Sequence, residues 1–348
     1  MNKPSIVFLY AEITPYLLGC INFFNEKNKD IALTIIYNKV FPTLDLESQK
    51  AHFICRNKFK TKKHFLFEIK KLNPNILLVS GRMDSYYLYV SRKLKHYSTR
   101  VCLFDTIHRK DFTQYLKKIF SGFLYKPYFD YMWGVGTPQI AFALDIGYKI
   151  EKIKRGFYVA DTIFFKNFFQ PNFISKNFNF LFIGRLVKEK NIITLASVID
   201  KINLEFNSNH RLGVVGEGPQ LDQILQFNCV DYLGLKNQSQ IIKISKSYHA
   251  FCLPSIYEPW GVVIHEMTAL GLPILSSNKC GAANDLVIEG ENGYKFDPNK
   301  FESIYNALLT YIKLPNPKKT TLSLNSNKIA RSINHESWNN TLLSFLNN

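Results

Sequence analysis

The chain has 348 residues, 46% hydrophobic and 20% charged, the composition of an ordinary globular protein rather than a disordered one, and its length suits two domains of roughly 150–200 residues each. No run reaches the roughly 18 apolar residues of a membrane-spanning helix. The formal net charge of +17 fits three kinds of partner: nucleic acid, an acidic substrate or an anionic membrane surface.

In chain order, "SIVFLYA" (5–11) predicts a buried strand followed by a turn. Glu12 and Pro15 interrupt the apolar centre that a secretory leader would need, so the cytoplasm is the expected compartment. "IALTIIYN" (31–38), "NILLVSG" (75–81) and "RVCLFDT" (100–106) predict three more strands, with stretches between them long enough for helices. After residue 175 the pattern resumes with "FNFLFIGR" (178–185), "HRLGVVGEG" (210–218), "VDYLGL" (230–235), "HAFCLPS" (249–255) and "LPILSS" (272–277). Helices are predicted over 191–203 and 261–271. Alternating strand and helix implies parallel sheets covered on both faces. The expected organisation is two doubly wound Rossmann-like domains over 1–170 and 171–330, with a tail at 331–348.

Charge is uneven along this frame. Residues 1–175 hold 27 Lys and Arg against 13 Asp and Glu, while 176–348 hold 17 against 14. Much of the excess lies in 55–71, 91–100 and 108–126, and the last of these interleaves Lys117, Lys118 and Lys126 with seven apolar side chains. Two readings stay open for it: a basic amphipathic segment that lies on lipid, and a solvated helix face. The six cysteines (20, 55, 102, 229, 252, 280) show no C-x-x-C pair and no zinc spacing, and are expected to be reduced and structural.

In doubly wound sheets, ligands bind beyond the carboxyl ends of the strands. His108, Arg185, Gly216–Gly218 and Glu258 all follow predicted strands. Arg185 and Lys190, between a strand and the next helix start, would make an anion site suited to a phosphate or diphosphate; an exposed Lys-rich loop is the other reading. In "YEPWGVVIHEMTALGLP" (257–273), Pro259 and Gly261 precede a helix whose first amides, from Gly261, Val262 and Val263, would point outward. Glu266 would lie roughly 7–8 Å along that helix, too far from Glu258 to share a proton but well placed for a second set of hydroxyls on one elongated ligand. Two incidental glutamates remain the alternative. "VVGEGPQL" lacks the full dinucleotide fingerprint, and a lone His108 is more often structural. There is no Asp-x-Asp to hold a metal–diphosphate, and no nucleophile elbow.

Together, "FLFIGRLVKEKN", "GVVGEGPQL", "YLGL" and "FCLPSIYEPWGVVIHEMTALGLPILSSNKCGAANDLVIEGENGYKFDP" resemble the retaining glycosyltransferases of family 4, the glycosyl transferase group 1 family. The resemblance implies a GT-B fold, two Rossmann-like domains facing across a cleft, with a nucleotide-sugar donor on the second domain. Arg185 and Lys190 then hold the donor diphosphate, Glu266 the ribose, and Glu258 the transferred sugar beside the Gly261–Val263 amides. Gly216, Gly218 and Leu235 line the base pocket, and His108 reaches the sugar. "HESWNN" resembles the segment whose final helix packs back toward the first domain. The N-terminal loop offers only Gly19 where the family usually has a Gly-Gly pair near the diphosphate, and His265 replaces a common asparagine.

The implied activity is metal-independent transfer, without a cofactor, of a hexosyl-type sugar. UDP is the first expectation for the donor nucleotide and GDP the second. The acceptor would be a glycan or lipid-linked hydroxyl in bacterial surface polysaccharide (lipopolysaccharide or capsule) assembly, at the inner face of the cytoplasmic membrane. The rival readings are a non-catalytic nucleotide-sugar binder of the same fold and a basic nucleic-acid binder. The intact charged set argues against the first. The lack of an aromatic-lined basic groove argues against the second, so no nucleic acid is expected as a partner. A sugar phosphorylase would need a much longer chain and a cofactor-bearing lysine.

Overall fold

The computed structural model describes the chain except residues 1–2, 43, 47–48, 108–119, 162–165, 170, 172, 174–175 and 347–348. It divides into two compact units, Met1–Asp161 with Ile333–Asn348, and Thr162–Ser332.

The first unit holds, among the described residues, a seven-stranded sheet made of β1 (Ser5–Ile13), β2 (Ala32–Val40), β3 (His52–Cys55), β4 (Ile76–Ser80), β5 (Thr99–Phe104), β6 (Tyr131–Gly134) and β7 (Ile153–Lys154), in the order β3-β2-β1-β4-β5-β6-β7. Every pairing is parallel; Ile6 sits opposite both Leu33 and Ile76. Successive β1 residues alternate between two cores. Ile6, Phe8 and Tyr10 join one, with Trp133, Trp338 and Leu342. Val7 and Leu9 join the other, with Phe65, Tyr87 and Phe142. This is the two-sided burial that a doubly wound parallel sheet demands.

The second unit repeats the plan with β8 (Asn179–Ile183), β9 (Arg211–Val215), β10 (Val230–Gly234), β11 (Ala250–Leu253), β12 (Ile274–Ser277) and β13 (Gly293–Phe296), in the order β10-β9-β8-β11-β12-β13, again all parallel. Helix Ile192–Phe206 buries Ile192, Leu195, Ala196, Ile199 and Ile202, the three-and-four spacing of an amphipathic helix. In each sheet the strand order reverses beside the first strand, between β1 and β4 and between β8 and β11. Such reversal points open crevices at the carboxyl ends of the strands.

The nine strands expected from sequence are present. The structure adds β3, β6, β7 and β13, which run for two to four residues and so are too short for an alternation to stand out. The six cysteines are free. Among the described residues no helix is long and apolar enough to cross a membrane. Most of the basic segment 108–126 lies outside the described residues. Arg100, at the end of the basic stretch 91–100, is fully buried. It makes a bidentate pair with Asp130, at 2.9 and 2.7 Å, and donates to the carbonyl of Pro127.

Candidate functional site

The second unit gathers the expected donor residues at its strand-order reversal. β8 runs into Gly184, Arg185 and a short 3-10 turn, Lys188–Lys190. β11 runs into the loop that carries Glu258. Backbone hydrogen bonds tie three loops together here. Leu186 donates to Glu217 O (2.8 Å), Gln220 to Leu186 O (3.0 Å), and Ile256 to Glu189 O (2.8 Å). The loops after β9, β8 and β11 therefore form one hydrogen-bonded floor, which fixes side-chain positions better than free loops could.

Gly216 shows why this floor needs glycine. Its φ is +136°, and a Cβ there would sit 1.9 Å from the carbonyl oxygen of Gly184. The missing side chains of the G-x-G stretch thus make room for the chain's own backbone. Leu235 follows β10 and is 65% exposed, next to this floor, where Gly216 N donates to Gly234 O (3.1 Å).

Lys190 and Glu258 meet as a half-buried ion pair, their side chains 17% and 15% exposed. The segment around Glu258 is clamped on its other side. Glu258 N donates to Lys279 O (3.3 Å), Gly281 N to Glu258 O (3.0 Å), and Ala282 N to Trp260 O (2.9 Å). Cys280 lies beneath it, its thiol donating to Trp260 O. Burial pushes that thiol well above the ordinary range and the Glu258 charge adds to the effect, so Cys280 packs and does not act as a nucleophile.

Helix Val262–Leu270 starts from Gly261, whose φ of +87° is in the left-handed region. The Gly261 carbonyl accepts from Ile264 N (2.9 Å), while among the described residues no acceptor faces the amides of Gly261, Val262 or Val263. Glu266 is half-buried, one turn into the helix. His265 is fully buried, its Nε2 within 3.0 Å of Ala330 O. Arg185 is exposed, and its guanidinium makes no hydrogen bond or ion pair among the described residues. Two cations, three free amides and two carboxylates thus surround one strand-order reversal, an arrangement able to grip an oxyanion at one point and hydroxyls at two others.

Two expected residues are not part of this group. His108 lies outside the described residues. Gly19 sits inside helix Pro15–Lys27 of the first unit, where a Cβ would meet His335 Cε1 at 3.1 Å and Asp161 Oδ2 at 3.3 Å. Its lack of a side chain serves that packing. The clamp formed by Lys279, Cys280 and Gly281 had no signal in sequence beyond its place after a strand.

Residues 164–329 match the family described as glycosyl transferases group 1. An uncharacterized glycosyltransferase of Methanocaldococcus jannaschii is 32% identical over 36% of this chain and 33% of its own length. The capsular polysaccharide biosynthesis glycosyltransferase CapM of Staphylococcus aureus is 25% identical over 83% of this chain and 82% of its own. The chain spans about a third of the length of the first curated relatives it matches. Among solved structures, Anabaena HepE in complex with UDP and glucose superposes with a TM-score of 0.74 at 16% identity, covering 99% of both chains. The chain thus has the GT-B fold, and its second unit matches the glycosyl transferases group 1 family.

Proposed function

We propose that the protein is a retaining glycosyltransferase that moves a hexosyl-type sugar from a nucleotide diphosphate, UDP first and GDP second, to a hydroxyl of a glycan or lipid-linked acceptor. The observation that carries this reading is the convergence of Arg185, Lys190, Glu258, Glu266 and the free amides of Gly261–Val263 on one strand-order reversal. UDP is supported by the HepE complex, and a role in bacterial surface polysaccharide assembly by CapM.

In this reading the diphosphate lies against Arg185, Lys190 and the helix amides, whose positive potential stabilises the leaving group. Glu266 holds the ribose and Glu258 the transferred sugar. The diphosphate competes with Glu258 for the Lys190 ammonium, so donor binding loosens the ion pair and turns Glu258 toward sugar hydroxyls. The acceptor oxygen attacks the anomeric carbon on the face from which the diphosphate leaves. The C–O bond to the diphosphate breaks, and a diphosphate oxygen takes the acceptor proton. No metal has a part in the scheme, so a chelator should leave the rate unchanged. Determining the product anomer by NMR tests the stereochemistry: the donor's configuration is expected, and an inverted product would refute retention.

A further inference from the structure

The strand-order reversal of the first unit, between β1 and β4, also opens a pocket, of about 420 Å³. That is within the range of about 300–1,000 Å³ typical of small-molecule sites. Two different chemistries line it. At one end, tyrosine hydroxyls cluster with a carboxylate: Tyr158 donates to Asp105 at 3.3 Å, and the Tyr16 and Tyr158 rings lie 5.0 Å apart. Aromatic faces beside hydroxyls and a carboxylate suit the hydrogen-bonding edge of a sugar.

At the other end stands Arg82, the one cation among the described residues that line the pocket. Gly81, with φ of +61° and its amide held by Leu103 O at 2.8 Å, turns the chain just past β4. Asp84 is engaged with Arg56 and with the amides of Tyr86 and Tyr87, so it does not neutralise Arg82. The guanidinium of Arg82 lies over the Tyr125 ring, 4.7 Å from its centroid, and its Nε is shielded from solvent with no hydrogen-bond acceptor among the described residues. A shielded donor on a charged group costs free energy until an acceptor arrives. A guanidinium can make a two-point contact with an oxyanion.

We infer that this pocket takes a sugar bearing an oxyanion, a phosphate or a carboxylate, with its hydroxyls toward Tyr158 and Asp105 and its charge on Arg82. Under the glycosyltransferase reading this is the acceptor, so the inference rests on that reading and names the acceptor as anionic.

The test is equilibrium binding to the full chain, with nucleotide at saturating concentration so that the donor site is filled. The probes are glucose, galactose and mannose, each as the free sugar, the 1-phosphate and the uronate; the last two forms separate phosphate from carboxylate. At least one charged form should bind tenfold or more tighter than its neutral parent. Arg82→Gln should abolish that preference at an unchanged melting temperature, Arg82→Lys should keep part of it, and Arg185→Gln should keep all of it. Equal binding of charged and neutral sugars, or a preference lost in Arg185→Gln and kept in Arg82→Gln, would overturn the inference. The nucleotide-induced rise in melting temperature is read separately, so a failure of the donor reading shows there and not here.

Discussion

Lys190 and Glu258 hold each other in the unliganded protein, yet the donor would need them for different tasks, and substitutions can separate these. Lys190→Ala removes a charge-assisted contact with the diphosphate, worth about 1.5–3 kcal/mol. It should weaken UDP and UDP-sugar alike by roughly ten- to a hundredfold. Glu258→Gln releases the Lys190 ammonium and removes the sugar contact, so it should tighten UDP and reduce the extra affinity of the UDP-sugar over UDP; calorimetric titration of both ligands distinguishes the two patterns. Away from the site, His210 is buried and its Nδ1 accepts from Phe178 N at 3.0 Å. Burial pushes its pKa down from 6.5 to about 4, with His249 and Lys319 adding to the effect. Between those values the unfolded chain binds the extra proton. Stability is therefore full above about pH 6.5 and falls as the pH drops toward about 4, with a contribution of about 3 kcal/mol from His210. Urea unfolding at pH 7 and pH 4.5 should record that loss, and His210→Asn should flatten it.

At the level of elements, the site depends on close backbone packing among the loops after β8, β9 and β11. Gly216→Ala puts a Cβ against the Gly184 carbonyl at a positive φ. It should cost about 1–3 kcal/mol and weaken nucleotide binding as well, because the displaced strand end carries Arg185; thermal melts with and without nucleotide read both effects. Helix His335–Leu343 is fixed to the first unit by Trp338, whose ring packs on Phe8 and Trp133 and whose Nε1 donates to Phe157 O at 3.1 Å. Trp338→Ala should destabilise the protein by about 3–5 kcal/mol in chemical denaturation. The longer strands and helix Val262–Leu270 were legible in sequence because apolar runs and Pro/Gly turns mark them. The short β3, β6, β7 and β13 were not, since two to four residues carry no period. The pairing of Arg100 with Asp130 was not legible either, since 30 residues separate them.

For the whole molecule, the two sheets share one strand order, the first with one strand more, and each reverses that order beside its first strand. The residues at the reversal of the second unit were legible from G-R-L-x-x-x-K and from two glutamates eight positions apart, because each group is contiguous in sequence and follows a strand. The pocket around Arg82 was not, because its parts come from β1, β4 and β5 and from residues as late as Tyr158, with no local spacing to join them. The pairing of Lys190 with Glu258 was likewise invisible, since 68 residues separate them. The central claim, a nucleotide-diphosphate site built on Arg185 and Lys190, is tested most directly by thermal shift with UDP, GDP and ADP on the wild type and on Lys190→Ala. A ligand that binds only the native state adds about 2.7 kcal/mol at a hundredfold excess over its dissociation constant. The account predicts stabilisation by UDP, with GDP second, and its reduction to about half or less in Lys190→Ala. No shift with any nucleotide, or an equal shift in the variant, would contradict it.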